Sequence, residues 1–160
     1  GKPVSDFIVI QNIITGIRSL RADYRINPAK KLNVSIATED GQILLDENAD
    51  IIRGLARVES LTIAPHIVKK STAIGFVVPG AEVFIDLAGV VDIAKERQRL
   101  QKEIGEVEPY VVSLEKKLSN DGFMRNAGAE VVEKEKAKLA QAKQKVERLK
   151  AQLGQFDTRR

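Results

Sequence analysis

Residues 93–118 read IAKERQRLQKEIGEVEPYVVSLEKKL and residues 132–156 read VEKEKAKLAQAKQKVERLKAQLGQF. In the first stretch Ile93, Leu100, Ile104, Val107, Val111, Leu114 and Leu118 recur at alternating steps of four and three, with Arg97 on the same line. In the second, Val132, Leu139, Ala142, Val146, Leu149, Leu153 and Phe156 do the same, with Glu135 on the line. Apolar residues at this spacing make one stripe along a helix, and a stripe held over several heptads is a coiled-coil seam. Ser119-Asn120-Asp121-Gly122 breaks the pattern between them. A connection of about ten residues is too short to carry the chain back for a parallel pair, so an antiparallel hairpin is predicted. The first helix, about 27 residues, would run roughly 40 Å. Pro109 falls inside it and removes the donor that would serve the Gly105 carbonyl, which predicts a kink facing away from the partner helix.

In an antiparallel pair the seam sets Leu100 against Leu153, Ile104 against Leu149, Val107 against Val146, Val111 against Ala142 and Leu114 against Leu139. It also sets Arg97 against Phe156, within reach of a cation–π contact, and leaves Glu135 near the tip, in reach of water. One flank then pairs Glu115 with Lys136, Glu108 with Lys143 and Gln101 with Lys150. The other brings Lys117 to Lys138, Tyr110 to Lys145 and Glu103 to Gln152, with Lys134 and Arg148 beside it. The first flank closes on itself; the second shows Lys117, Lys134, Lys138, Lys145 and Arg148 with little acid nearby.

The charge balance agrees. Residues 1–91 carry 10 Lys and Arg against 10 Asp and Glu, and residues 92–160 carry 16 against 12, so the net charge of +4 lies wholly in the hairpin. Residues 134–150 alone hold seven basic against two acidic side chains. Such an excess is either a solvated helix face or a surface for nucleic acid or another acidic partner. Like charges at helical spacing cost a few tenths of a kcal/mol, which favours the functional reading. Lysines that neutralise phosphates, with Tyr110 available for stacking, make an RNA-facing edge.

Ahead of the hairpin the pattern changes. Ser5 or Asp6 can cap a helix with Phe7, Ile10, Ile14, Ile17 and Leu20 on one face, ending by Tyr24 because Pro28 disfavours helical angles at Asn27. Arg18, Arg21 and Arg25 fall near its end, where cations suit the helix dipole; they are secondary candidates for RNA contact. That helix has more apolar surface than one small sheet needs. Lys31–Thr38 alternates as a strand, residues 43–55 fit one helix, Leu61–Ile63 is a short strand, and 73–78 and 81–87 form a hairpin about Pro79-Gly80. The predicted fold is α+β: a small mixed domain, with a three- or four-stranded sheet and one helix across it, followed by a long antiparallel two-helix coiled-coil hairpin.

The chain has no Cys, which excludes a disulfide framework and suits a cytoplasmic location. No apolar run approaches the ~20 residues of a membrane span. His66 is the single histidine, so neither a metal cluster nor a Ser/His arrangement has material to work with, and no catalytic or metal-binding residue is expected. The chain opens on Gly1 and not Met, directly before a helix, and reads as a piece of a longer protein.

Four stretches in order resemble the C-terminal part of bacterial valyl-tRNA synthetases: Ile17-Arg18-Ser19-Leu20-Arg21 with Ile26-Asn27-Pro28-Ala29-Lys30; Leu87-Ala88-Gly89-Val90-Val91-Asp92 running into Glu96-Arg97-Gln98-Arg99-Leu100-Gln101-Lys102-Glu103; Leu114-Glu115-Lys116-Lys117-Leu118-Ser119-Asn120-Asp121-Gly122-Phe123; and Val131-Val132-Glu133-Lys134-Glu135-Lys136. The resemblance implies that residues 1–26 end an anticodon-binding helical bundle, 27–91 form a small linking α+β domain, and 92–158 form a coiled-coil arm that reaches the outer corner of valine-specific tRNA. Independently of the resemblance, the pairing of the seam within one chain predicts a monomer, and the lack of a long apolar run predicts no membrane contact. The resemblance also implies a parent ligase that uses ATP and Mg in a catalytic domain absent here, so this piece itself needs no cofactor. His66-Ile67-Val68-Lys69-Lys70-Ser71 only echoes that domain's motifs. The family places Pro after the Ala preceding the second arm helix; Gly128 stands here, which predicts a later or weaker helix start. The competing expectation is a structural coiled-coil adaptor, or an arm of another nucleic-acid-handling protein.

Overall fold

The computed structural model describes residues 5–156, so residues 1–4 and 157–158 of the expected first and last segments lie outside the described residues. The chain divides into two compact units, one ending at Ile93 and the other beginning at Ala94.

The first unit contains α1 (Asp6–Asp23), β1 (Leu32–Ala37), α2 (Gln42–Glu47), α3 (Ala49–Ala56), β2 (Val58–Ala64), β3 (Ala73–Val78) and β4 (Ala81–Asp86). The sheet has four strands in the order β2-β1-β4-β3. β1 pairs parallel with β2 and antiparallel with β4, which pairs antiparallel with β3. Period-two alternation sets the register: Leu32, Val34 and Ile36 of β1 and Val83 and Ile85 of β4 all point inward and are buried. Ile13 and Ile17 of α1 and Ile52 of α3 close the core over that face. The β3–β4 hairpin turns at Pro79-Gly80, where Gly80 takes φ of 87°, which a side chain would resist.

Two local expectations are corrected. The single helix expected over residues 43–55 is two, broken at Asn48, whose side-chain amide donates to the Leu44 carbonyl at 2.8 Å and closes α2 with its own residue. The buried face of α1 is also rotated. Ile10, Ile13, Ile14, Ile17 and Arg21 face inward, while Phe7 is 72% exposed. With Ile8, Ile43, Ile51 and Leu55 exposed as well, this unit keeps an uncovered apolar surface on its helices.

The second unit is the arm. α4 (Ile93–Ser119) runs through Pro109 without interruption, and Pro109 is exposed, as its place on the outer face predicts. α6 (Ala129–Gly154) returns. The Arg97 guanidinium donates to the Phe156 carbonyl at 3.0 Å, and Lys117 meets Glu135 further along, so rising numbers on α4 meet falling numbers on α6 and the pair is antiparallel. Leu100, Ile104 and Leu114 on α4 and Val132, Ala142, Val146 and Leu149 on α6 are buried, as the seam requires. The connection is itself helical. α5 (Asp121–Asn126) is capped by Asn120, whose side-chain oxygen accepts from the Phe123 amide at 2.9 Å. Despite Gly128 in place of Pro, α6 starts at once, at Ala129.

Candidate nucleic-acid interface

The two flanks of the seam carry different charge, but the pairings are not those expected from level matching. Lys143 lies 3.8 Å from Glu115 and Lys150 lies 3.2 Å from Glu108, each one heptad along α6 from its level partner. Lys136 instead bonds within its own helix, 3.6 Å from Glu133. The cause is side-chain direction. A helical side chain leans toward its own N-terminus. In an antiparallel pair, an α4 carboxylate nearer the tip and an α6 ammonium nearer the base therefore lean toward each other. The level pairs Glu115–Lys136 and Glu108–Lys143 lean apart. The flank is still closed by ion pairs, shifted by a heptad.

The opposite flank is less bare of acid than expected. Lys117 lies 3.6 Å from Glu135, Lys138 donates to the same carboxylate at 3.2 Å, and Lys134 lies 3.8 Å from Glu130. Of the five cations placed on the open edge, Lys145 and Arg148 make no ion pair among the described residues. The edge keeps its basic character all the same. Lys134, Lys138, Gln141, Lys145, Arg148 and Gln152 follow one another on α6 at steps of four and three, with no acid among them. The first five are exposed. Tyr110 on α4 is 46% exposed.

Glu135 differs most from expectation. It stands on the seam where water contact was expected, yet it is only 7% exposed. The Lys138 hydrogen bond, with the charge of Lys117, outweighs burial and holds its carboxyl below the ordinary range. Lys117 also sits 5.2 Å from the centre of the Phe123 ring, so α4, α5 and α6 meet on one ammonium. The heptad pattern contained the signal for Glu135, since an acid on an apolar seam needs a cationic partner once it is buried. Phe123 carried no such signal, because its place depends on the α5 turn.

The arginines of α1 divide. Arg21 is buried and its guanidinium makes four hydrogen bonds, donating to the carbonyls of Ala56 (2.9 and 3.2 Å), Arg57 (2.6 Å) and Lys30 (2.8 Å). It closes the C-terminus of α3, where Arg57 takes the left-handed conformation with φ of 55°. Unlike the exposed side chain expected for an RNA contact, Arg21 is bonded to carbonyls inside the fold. Burial, with Arg57 nearby, makes its charge harder to hold than that of an exposed arginine. Arg18 is exposed and donates to the Leu55 carbonyl at 3.1 Å, and Arg25 is exposed with φ of 53°.

Among the described residues no group of His, Cys, Asp and Glu is placed to hold a metal ion, and no helix is long and apolar enough to cross a membrane.

Residues 92–157 match the family described as the valyl tRNA synthetase tRNA binding arm. The match covers 66 of the chain's 160 residues. The arm and the unit before it are together similar to valine–tRNA ligases. The chain is 36% identical over 146 residues to that of Nitratidesulfovibrio vulgaris (strain Hildenborough), covering 88% of this chain and 16% of that protein. It is 38% identical over 151 residues to that of Symbiobacterium thermophilum, covering 91% and 17%, and 34% identical over 155 residues to that of Chlorobaculum tepidum, covering 96% and 17%. The chain thus spans about a sixth of the length of the relatives it matches. The residues matched to that family hold α4, α5 and α6.

Proposed function

We propose that this chain is the tRNA-binding, non-catalytic end of a valine–tRNA ligase, an enzyme of the cytoplasm that joins valine to its tRNA using ATP. The arm binds the outer corner of the tRNA through the acid-free stripe of α6. Lys145 and Arg148 contact phosphates directly, Lys134 and Lys138 extend the track, Lys117 serves at the tip and Tyr110 offers a stacking face. Arg18 and Arg25 are secondary contacts. The observation that carries this reading is the match of residues 92–157 to the tRNA-binding arm family, on an arm whose one flank is closed by Lys143–Glu115 and Lys150–Glu108 while the other keeps a continuous basic stripe.

Residues 1–26 are the end of an anticodon-binding helical bundle. Exposed Phe7 on α1, with Ile51 and Leu55 on α3, supports packing of this unit against further helices. Residues 27–91 form the linking domain and 92–158 the arm, and the chain works as a monomer. ATP and Mg act in the catalytic domain of the longer protein.

The test is the binding of the chain to valine-specific tRNA and to unstructured RNA of equal length, across a salt series, with light scattering on the same samples. Preferential and salt-dependent binding of tRNA by a monomer is expected. A dimer with no preference for tRNA would identify a coiled-coil adaptor instead.

A further inference from the structure

Glu135 is an acid in the middle of an apolar seam. A buried ion pair contributes little to stability compared with a packed apolar pair, and leucine at this position would continue the stripe of Val132, Leu139 and Ala142. Its carboxylate joins two cations from different helices. Lys117 of α4 lies 3.6 Å from one oxygen and Lys138 of α6 lies 3.2 Å from the other. Both lysine side chains stay about half exposed, at 46% and 55%, while the glutamate is enclosed. Each ammonium has three donors and no acceptor, so each can bond Glu135 and still offer N–H groups to solvent. Phe123 holds Lys117 from the α5 side. Without the carboxylate the two ammoniums would repel each other and separate.

We propose that Glu135 is a positioning residue for tRNA: it anchors Lys117 and Lys138 as a fixed pair at the tip of the arm, so that both engage phosphates spaced as in folded tRNA and not those of a flexible strand. The inference rests on the tRNA-binding reading of the arm. It goes further by giving the tip lysines a selective role, and by assigning that selectivity to a residue that touches no RNA. The carboxylate costs one unit of attraction to every polyanion and returns geometry that suits only a structured one.

The full chain and its Glu135→Gln and Glu135→Leu variants are compared for binding to tRNA and to unstructured RNA of equal length. Thermal melting is followed by circular dichroism. Glu135→Leu keeps the seam apolar, so a folded arm is retained. Both variants are expected to lose about tenfold in the ratio of tRNA to unstructured-RNA affinity, as befits one charge-assisted contact. The slope of log affinity against log salt for tRNA should become shallower by about 1. Tighter binding of both RNAs by one common factor, or no change in either, would overturn the proposal and show that Glu135 only sets charge or helix register. If the parent chain itself shows no preference for tRNA, the tRNA-binding reading fails first and the positioning role fails with it.

Discussion

The Lys150 ammonium lies 3.2 Å from the Glu108 carboxylate, not beside Gln101 at its own level of the hairpin. The seven-residue displacement recurs at Lys143 and Glu115 and follows from the lean of helical side chains toward their N-termini. Both partners are about half exposed, so each pair contributes about 0.3–0.5 kcal/mol. A double-mutant cycle on Glu108→Gln and Lys150→Gln should show coupling of that size. The cycle on Glu108 and Lys143 should show none. Coupling in the second cycle alone would restore the level pairing.

Arg21 holds α1, α3 and the approach to β1 together through carbonyls, and makes no ion pair among the described residues. Replacing it with Met leaves the buried carbonyl of Ala56 and the part-buried carbonyls of Arg57 and Lys30 without that donor. Arg21→Met should destabilise the α/β unit by about 2 kcal/mol or more, seen in thermal or urea unfolding. tRNA affinity of the folded chain should be unchanged, since the Arg21 guanidinium is turned to carbonyls inside the fold. A selective loss of affinity with normal stability would return Arg21 to the interface.

Glu135 couples the arm to pH. Its carboxyl titrates below the ordinary 4.5, chiefly through the Lys138 hydrogen bond. A carboxylate depressed in the folded state stabilises above its unfolded pKa, and that contribution fades as pH falls from there through the folded value. Melting of the arm should therefore drop as pH falls below about 5, more steeply in the parent chain than in Glu135→Gln. Asp86 behaves alike in the other unit: burial opposes its charge, but hydrogen bonds from Ala88, Thr72 and Lys70 outweigh it. Identical acid profiles for parent and variant would deny Glu135 its ionised partners.

The seam of the arm was legible because its period is fixed by helix geometry, and each apolar position named from the spacing between Leu100 and Phe156 is buried or half-buried. The β3–β4 hairpin was legible from Pro79-Gly80. Which lysine meets which carboxylate was not, because pairing depends on where long side chains lean and not on residue level. The break at Asn48 and the α5 turn were missed for another reason: each is made by a single side chain bonding a backbone group three or four residues away, in stretches whose hydrophobic pattern runs on or vanishes. The burial of Arg21 could have been found. It continues the line Ile10, Ile14, Ile17 at a step of four, and a cation on an apolar line near a helix end calls for carbonyl partners. Ile13 and Phe7 exchanged roles because the α1 stripe is wide enough to face the core at more than one rotation.

The assignment of tRNA binding to one flank of the arm is tested most directly by charge reversal on α6. Lys145→Glu with Arg148→Glu is compared with Lys143→Glu with Lys150→Glu, which carries the same change of charge on the opposite flank. Measured by filter binding to valine-specific tRNA, the first variant should lose at least about tenfold more affinity than the second, with a salt slope shallower by about 1–2. The second should mainly lower the melting temperature of the arm, since it breaks the contacts to Glu115 and Glu108. Equal affinities for the two variants would contradict an interface confined to the stripe of Lys134, Lys138, Lys145 and Arg148.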